Sequence, residues 1–160
     1  MKDYAALAKE YGFTDAAVMK VSDLVVVPEY REFCRQNLCG NYGVLPACPP
    51  ASGTVEEMTA AMRSYRNALI LTVVLVPVDM QDANEQRQAK RAVNMLTEEL
   101  MEQMKRDGCG EMLMMGAGPW KNASCMSAYC VDAQKMAGHV GMKCWENDGK
   151  VRYFSLILFR

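Results

Sequence analysis

Val151-Arg-Tyr-Phe-Ser-Leu-Ile-Leu-Phe159 is apolar at nearly every position. A half-exposed strand alternates apolar and polar residues, whereas a strand covered on both faces does not. This stretch therefore predicts a buried, central strand. Leu69–Val76 has the same character and is closed by Pro77, and Glu111–Met115 is a shorter version that runs into a glycine turn. Ala16–Val21 is the fourth candidate strand.

Helices are expected between these strands. In residues 82–106, Ala89, Ala92, Val93, Leu96, Leu100 and Met104 recur at three- and four-residue spacing and form one apolar stripe. Lys105 and Arg106 suit the last turn of that helix, and Gly108 suits its stop. Thr54-Val-Glu-Glu57 has the form of a capping box and predicts a second helix running to about Tyr65. Residues 3–11 predict a short helix ended by Gly12. Ser22 or Asp23 is expected to cap a short segment toward Arg31, and loops or short helices should fill 120–143. The fold class expected is α/β or α+β, a single-domain sandwich of helices packed on a sheet of about four or five strands, with two cysteine-bearing loops. Strand direction does not follow from the pattern.

The 160 residues suit one metal-binding domain spanning 1–160, since a domain has about 100–200 residues. A chain of this size buries roughly 68–70% of its unfolded surface, so it needs no metal merely to fold. With 51% hydrophobic residues, 23% charged residues and a net charge of −1, the composition is that of a soluble globular protein. No dense basic stripe is present, which argues against nucleic acid as a partner. The apolar run at Leu69–Val78 is about ten residues, short of the roughly 20 that span a bilayer. The N-terminus reads as an amphipathic helix start with no apolar signal core. A cytoplasmic location with no membrane partner is expected.

Seven cysteines in a reducing compartment are not expected to pair as disulfides, and an odd number cannot pair fully within one chain. Three lie in Cys34-Arg-Gln-Asn-Leu-Cys39-Gly-Asn-Tyr-Gly-Val-Leu-Pro-Ala-Cys48-Pro-Pro50, a turn-rich stretch in which regular structure is not expected. Such a loop can bring thiolates to one point, where a soft metal or an iron–sulfur cluster binds. Cys125 and Cys130 repeat the spacing of Cys34 and Cys39, just beyond the turn Gly116-Ala-Gly-Pro119. Cys34, Cys39 and Cys48 with Cys125 or Cys130 would make a four-thiolate site. The N-terminus of the helix at Thr54 would favour thiolate at Cys48.

Other residues read more plainly. Cys109 and Cys144 are expected to be structural, the latter beside Trp145. His139, the only histidine, reads as a surface or loop residue. Trp120 and Tyr129 either shield the site or pack. The glycine turn lacks the third glycine of a dinucleotide fingerprint and is interrupted by Pro119. The fourteen methionines suit flexible core filling.

Cys34, Cys39-Gly-Asn-Tyr-Gly43, Cys48-Pro-Pro50, Tyr65-Arg-Asn-Ala-Leu69, Gly116-Ala-Gly-Pro119 and the closing Val151–Phe159 segment together resemble a prokaryotic family, Domain of Unknown Function 2284. The resemblance implies a metal-binding or iron–sulfur protein, often of anaerobic microbes, with no assigned reaction. It carries directly to Cys34, Cys39 and Cys48. The family has a cysteine straight after Gly-Pro, where this chain has Trp120, so Cys125 and Cys130 stand off the family's positions. The function expected is one iron–sulfur cluster, of the four-iron, four-sulfide type, serving electron transfer, redox sensing or metallocofactor delivery to a partner protein. The alternatives are structural zinc and an interaction module with a degenerate metal site. No acid–base or nucleophile constellation marks an enzyme.

Overall fold

The computed structural model describes residues 2–160. Its four strands are β1 (Asp15–Lys20), β2 (Asn67–Leu75), β3 (Met112–Met115) and β4 (Val151–Phe159). They form one sheet in the order β1-β2-β4-β3, and every neighbouring pair is antiparallel. The five α-helices are α1 (Tyr4–Tyr11), α2 (Arg31–Arg35), α3 (Val55–Arg63), α4 (Ala83–Arg106) and α5 (Ala133–His139). The fold is thus α+β, which settles the direction of the strands. No described helix is long and apolar enough to cross a membrane.

The apolar run of β4 is explained by cover on both faces. Leu156 and Leu158 face one core with Ile70, Met115, Met58, Met62 and Met136. Ile157 and Phe159 face the other, with Leu69, Leu71, Val93, Leu100 and Met104. Helices α1 and α4 supply the second core; α3, α5 and the segment that bears Cys125 and Cys130 supply the first. Ser155 is the fully buried polar interruption, and its hydroxyl meets Thr97 Oγ1 of α4 at 2.7 Å, so the buried group is satisfied.

The seam of α4 differs from its apolar stripe. Ala92 is exposed, whereas Asn94 and Thr97 are buried with Val93, Leu100 and Met104. Apolar periodicity passes over polar residues that find partners inside. Asp82 caps α4, accepting from the Asn84 and Glu85 N–H groups. Helix α3 has the predicted capping box: Glu57 N–H donates to Thr54 Oγ1 at 3.1 Å, and Thr54 N–H to Glu57 Oε1 at 3.3 Å. Thr54→Ala is expected to lower stability by about 1 kcal/mol, measured by urea unfolding; no change would mean the box is idle.

Neither Ser22 nor Asp23 caps a helix. Val21–Asp23 is a short 3-10 turn, and a second, Pro28–Tyr30, leads into α2 with Pro28 at its first position. A proline there loses no helical hydrogen bond. Cys34 consequently lies on a short helix, and the irregular loop begins after Arg35.

Candidate metal centre

The two cysteine segments are docked on each other. Ser124 is buried, and its hydroxyl donates to the Ala47 carbonyl at 2.7 Å. This bond joins the neighbour of Cys125 to the neighbour of Cys48. Gly43 N–H donates to the Pro49 carbonyl at 2.9 Å and folds the first loop back on itself. The second segment is tied to the chain before α2 by Val27 N–H to the Cys130 carbonyl and Asp132 N–H to the Val25 carbonyl, both at 2.8 Å.

The 116–125 stretch is fixed from α4. Asn94 Nδ2 donates to the Ala117 carbonyl at 3.0 Å, and Ala117 N–H donates to Asn94 Oδ1 at 2.8 Å. Gly116 N–H donates to the Ser124 carbonyl at 3.0 Å. A β-carbon on Gly116 would lie 2.6 Å from the Gly118 carbonyl oxygen, so only glycine fits this crossing.

All seven cysteines are free thiols. Cys48 and Cys130 are buried, Cys34 and Cys125 half-buried, and Cys39 exposed. Burial, then the charges of Cys125, Cys39 and Cys34, pushes the Cys48 thiol from 9.0 up to about 11. Burial also pushes Cys34 up, as do the charges of Cys125, Cys130 and Cys39, while Arg31 acts against them. Like charges disfavour ionisation only when they are near one another. The Ser124–Ala47 bond thus brings the Cys125 segment to the loop of Cys34, Cys39 and Cys48, and the Cys130 thiol lies 3.8 Å from the Pro28 carbonyl, just before α2. Among the described residues, however, no three His, Cys, Asp or Glu side chains stand close enough together to hold a metal ion.

The expectation for Cys48 and α3 is reversed. The helix begins where predicted, and Thr54 Oγ1 takes the Glu57 amide of its first turn. Burial dominates at Cys48, so the thiol is harder to ionise. At pH 8, Cys48 is expected to react with iodoacetamide about a hundredfold more slowly than an ordinary thiol, since the thiolate is the nucleophile. The rate should rise with pH toward about 11. Peptide mass mapping measures this, and equal labelling of Cys39 and Cys48 would contradict it.

The remaining sequence candidates lie apart. Cys144 is buried in the first core, but Trp145 is 73% exposed and does not cover it. Cys109 packs against the second core. His139 ends α5 with Nε2 3.7 Å from Asp23 Oδ2. The Trp120 indole N–H donates to Glu98 of α4, and Lys121 Nζ lies 5.3 Å from its ring centre. Tyr129 is buried in the first core, and its hydroxyl is made harder to ionise by burial and then by Tyr65 and Cys125. A basic concavity of about 440 Å³, lined by residues that include Lys20, Arg63, Arg66 and Arg160, contains no cysteine. Arg63 there is engaged by the Val21 and Leu24 carbonyls, and Arg160 by Glu111.

Asn94 and Ser124, which tie the second cysteine segment to α4 and to the first loop, are residues that the pattern did not reveal. A polar residue within the apolar stripe of a helix was the one available signal, at Asn94. No curated protein and no solved structure matches the chain. The family profile described as predicted metal-binding protein, Domain of Unknown Function 2284, matches residues 17–123. That span takes in the docked loop with Cys34, Cys39 and Cys48, β2, α4 and the glycine turn, and the chain belongs to this family of predicted metal-binding proteins.

Proposed function

We propose that the chain holds one iron–sulfur cluster of the four-iron type, with Cys34, Cys39, Cys48 and Cys125 as its thiolate donors. The observation that carries this reading is the Ser124–Ala47 hydrogen bond, which docks the segment bearing Cys125 on the loop bearing Cys48. The raised Cys34 and Cys48 thiols, each pushed up by burial and then by neighbouring cysteines, agree with it. The donors are all sulfur, and no histidine or carboxylate occurs among residues 36–50. Soft donors of this kind select iron–sulfur clusters, zinc or copper(I), and the long Cys39–Cys48 interval suits a cluster better than a close-paired zinc site. Because the thiols are not yet within bonding distance of one point, loading must draw the exposed 36–46 stretch inward.

A cluster so held supplies an electron-transfer couple. Cys39 is exposed beside Leu38, which is 84% exposed, and Phe33 and Val44 are exposed as well. This apolar rim, with the exposed Glu32–Arg35 ion pair beside it, suits a partner protein that exchanges electrons or receives the metallocofactor, rather than a nucleic acid. Compartment and domain count follow the same reading: a cytoplasmic, single-domain protein.

The decisive experiment is iron and sulfide analysis with a visible spectrum, on protein expressed and purified without oxygen. About four iron and four sulfide per chain, with broad absorbance that bleaches on reduction, is the expected result. About one zinc per chain and no colour would replace the cluster with a structural ion. Neither metal would leave an interaction module with a degenerate site.

A further inference from the structure

Arg31 opens α2 and is 5% exposed. Its Nη1 donates to the Gly53 carbonyl at 2.8 Å and its Nη2 to the Ala128 carbonyl at 2.9 Å, with Met58 Sδ 3.3 Å from Nη2. Nε is buried without a hydrogen-bond partner. No carboxylate among the described residues pairs with the guanidinium. Buried charges are ordinarily paired, because an uncompensated one is strongly unfavourable in a medium of low polarity. Two neutral carbonyls hold this group in place but do not cancel its charge. As a simple staple between the Gly53 turn and the 125–130 segment, it would have no need to be charged.

Sulfur faces this charge. Cys34 stands three residues after Arg31 on α2, one turn along the same face. The Arg31–Ala128 bond holds the guanidinium against the segment that runs from Cys125 to Cys130. Burial makes the Cys34 and Cys130 thiols harder to ionise, and the Arg31 charge acts against it at both. Cys130 is fully buried with φ 59, a left-handed conformation that few non-glycine residues adopt and that concentrates at functional sites. Its thiol lies 3.8 Å from the Pro28 carbonyl. Four thiolates around a divalent ion carry roughly two net negative charges, and a buried cation beside them lowers the cost of gathering that charge.

Building on the metal reading above, we propose that Arg31 is the fixed counter-charge of the cysteine centre, with Cys130 as the buried thiol set between it and the donors. Arg31 is a positioning residue and not a ligand. The test uses the full chain, oxygen-free, as wild type, Arg31→Gln and Arg31→Lys, titrated with cobalt(II) alone and followed by thiolate-to-cobalt absorbance. Melting of each metal-free protein is recorded in parallel. Arg31→Gln is expected to bind cobalt about 10–100-fold more weakly, as loss of a supporting residue around a metal does. Arg31→Lys keeps the charge and is expected to stay within about threefold of wild type.

Equal cobalt affinity in wild type and Arg31→Gln would overturn the counter-charge alone and leave the metal site standing. Equal losses in both variants, matched by equal drops in metal-free melting temperature, would reduce Arg31 to a backbone staple. Should Arg31→Gln not fold, Arg31→Lys decides, and a tenfold or larger loss there overturns the proposal. A wild-type protein that takes up neither cobalt nor iron would overturn the counter-charge and the metal centre together.

Discussion

Cys39→Ser is expected to lower the iron and sulfide content from about four of each per chain to less than about one, while the fold and its melting temperature stay those of the wild type. Cys39 is exposed, so it contributes no core packing, and serine suits the surface it occupies. Its loss should therefore be read in the metal and nowhere else. Cys48→Ser should give the same metal loss, but it also places a hydroxyl at a buried position. Cys109→Ser is the control: Cys109 packs beside the second core, outside both cysteine segments, so metal content should hold. Iron and sulfide analysis of anaerobically purified variants, with circular dichroism melts, measures all three. Full metal retention by Cys39→Ser would remove it from the donor set.

Asn94→Ala is expected to destabilise the protein by about 2–4 kcal/mol, because it leaves two buried backbone groups without partners, each worth about 1–3 kcal/mol. Asn94 is 1% exposed and makes both hydrogen bonds to Ala117. The effect should reach the site as well. Ala117 follows Gly116, which is bonded to Ser124 and bridged to Cys125. A loosened turn therefore loosens Cys125 with respect to Cys48, and metal retention should fall even at temperatures where the protein stays folded. Urea unfolding gives the first quantity and the rate of metal loss to a chelator the second. A stability change below about 0.5 kcal/mol would mean that water replaces the side chain without penalty.

Much of the architecture was legible because it depends on local pattern. The run Val151–Phe159 could be read as central since a strand covered twice has no polar face, and β4 does lie between β2 and β3. Thr54 could be read as a cap since its partner Glu57 is three residues away. The three cysteines of the first loop and the pair that follows the glycine turn were visible as spacing alone.

The sequence by itself determined the four strands, α1, α3 and α4, their order and the supply of sulfur donors, because hydrophobic period, capping and turn chemistry act over a few residues. The short α2 and α5 carried no such signal. Tertiary structure alone decided the antiparallel pairing, the division of the core between two faces of the sheet, and the company each cysteine keeps. Ser124 meets Ala47 across 77 positions and Arg31 meets Ala128 across 97. Contacts between residues so far apart leave no periodic trace in the chain. Burial likewise raised the Cys48 thiol where a neighbouring helix end had promised to lower it, because removal from water outweighs the pull of the helix dipole.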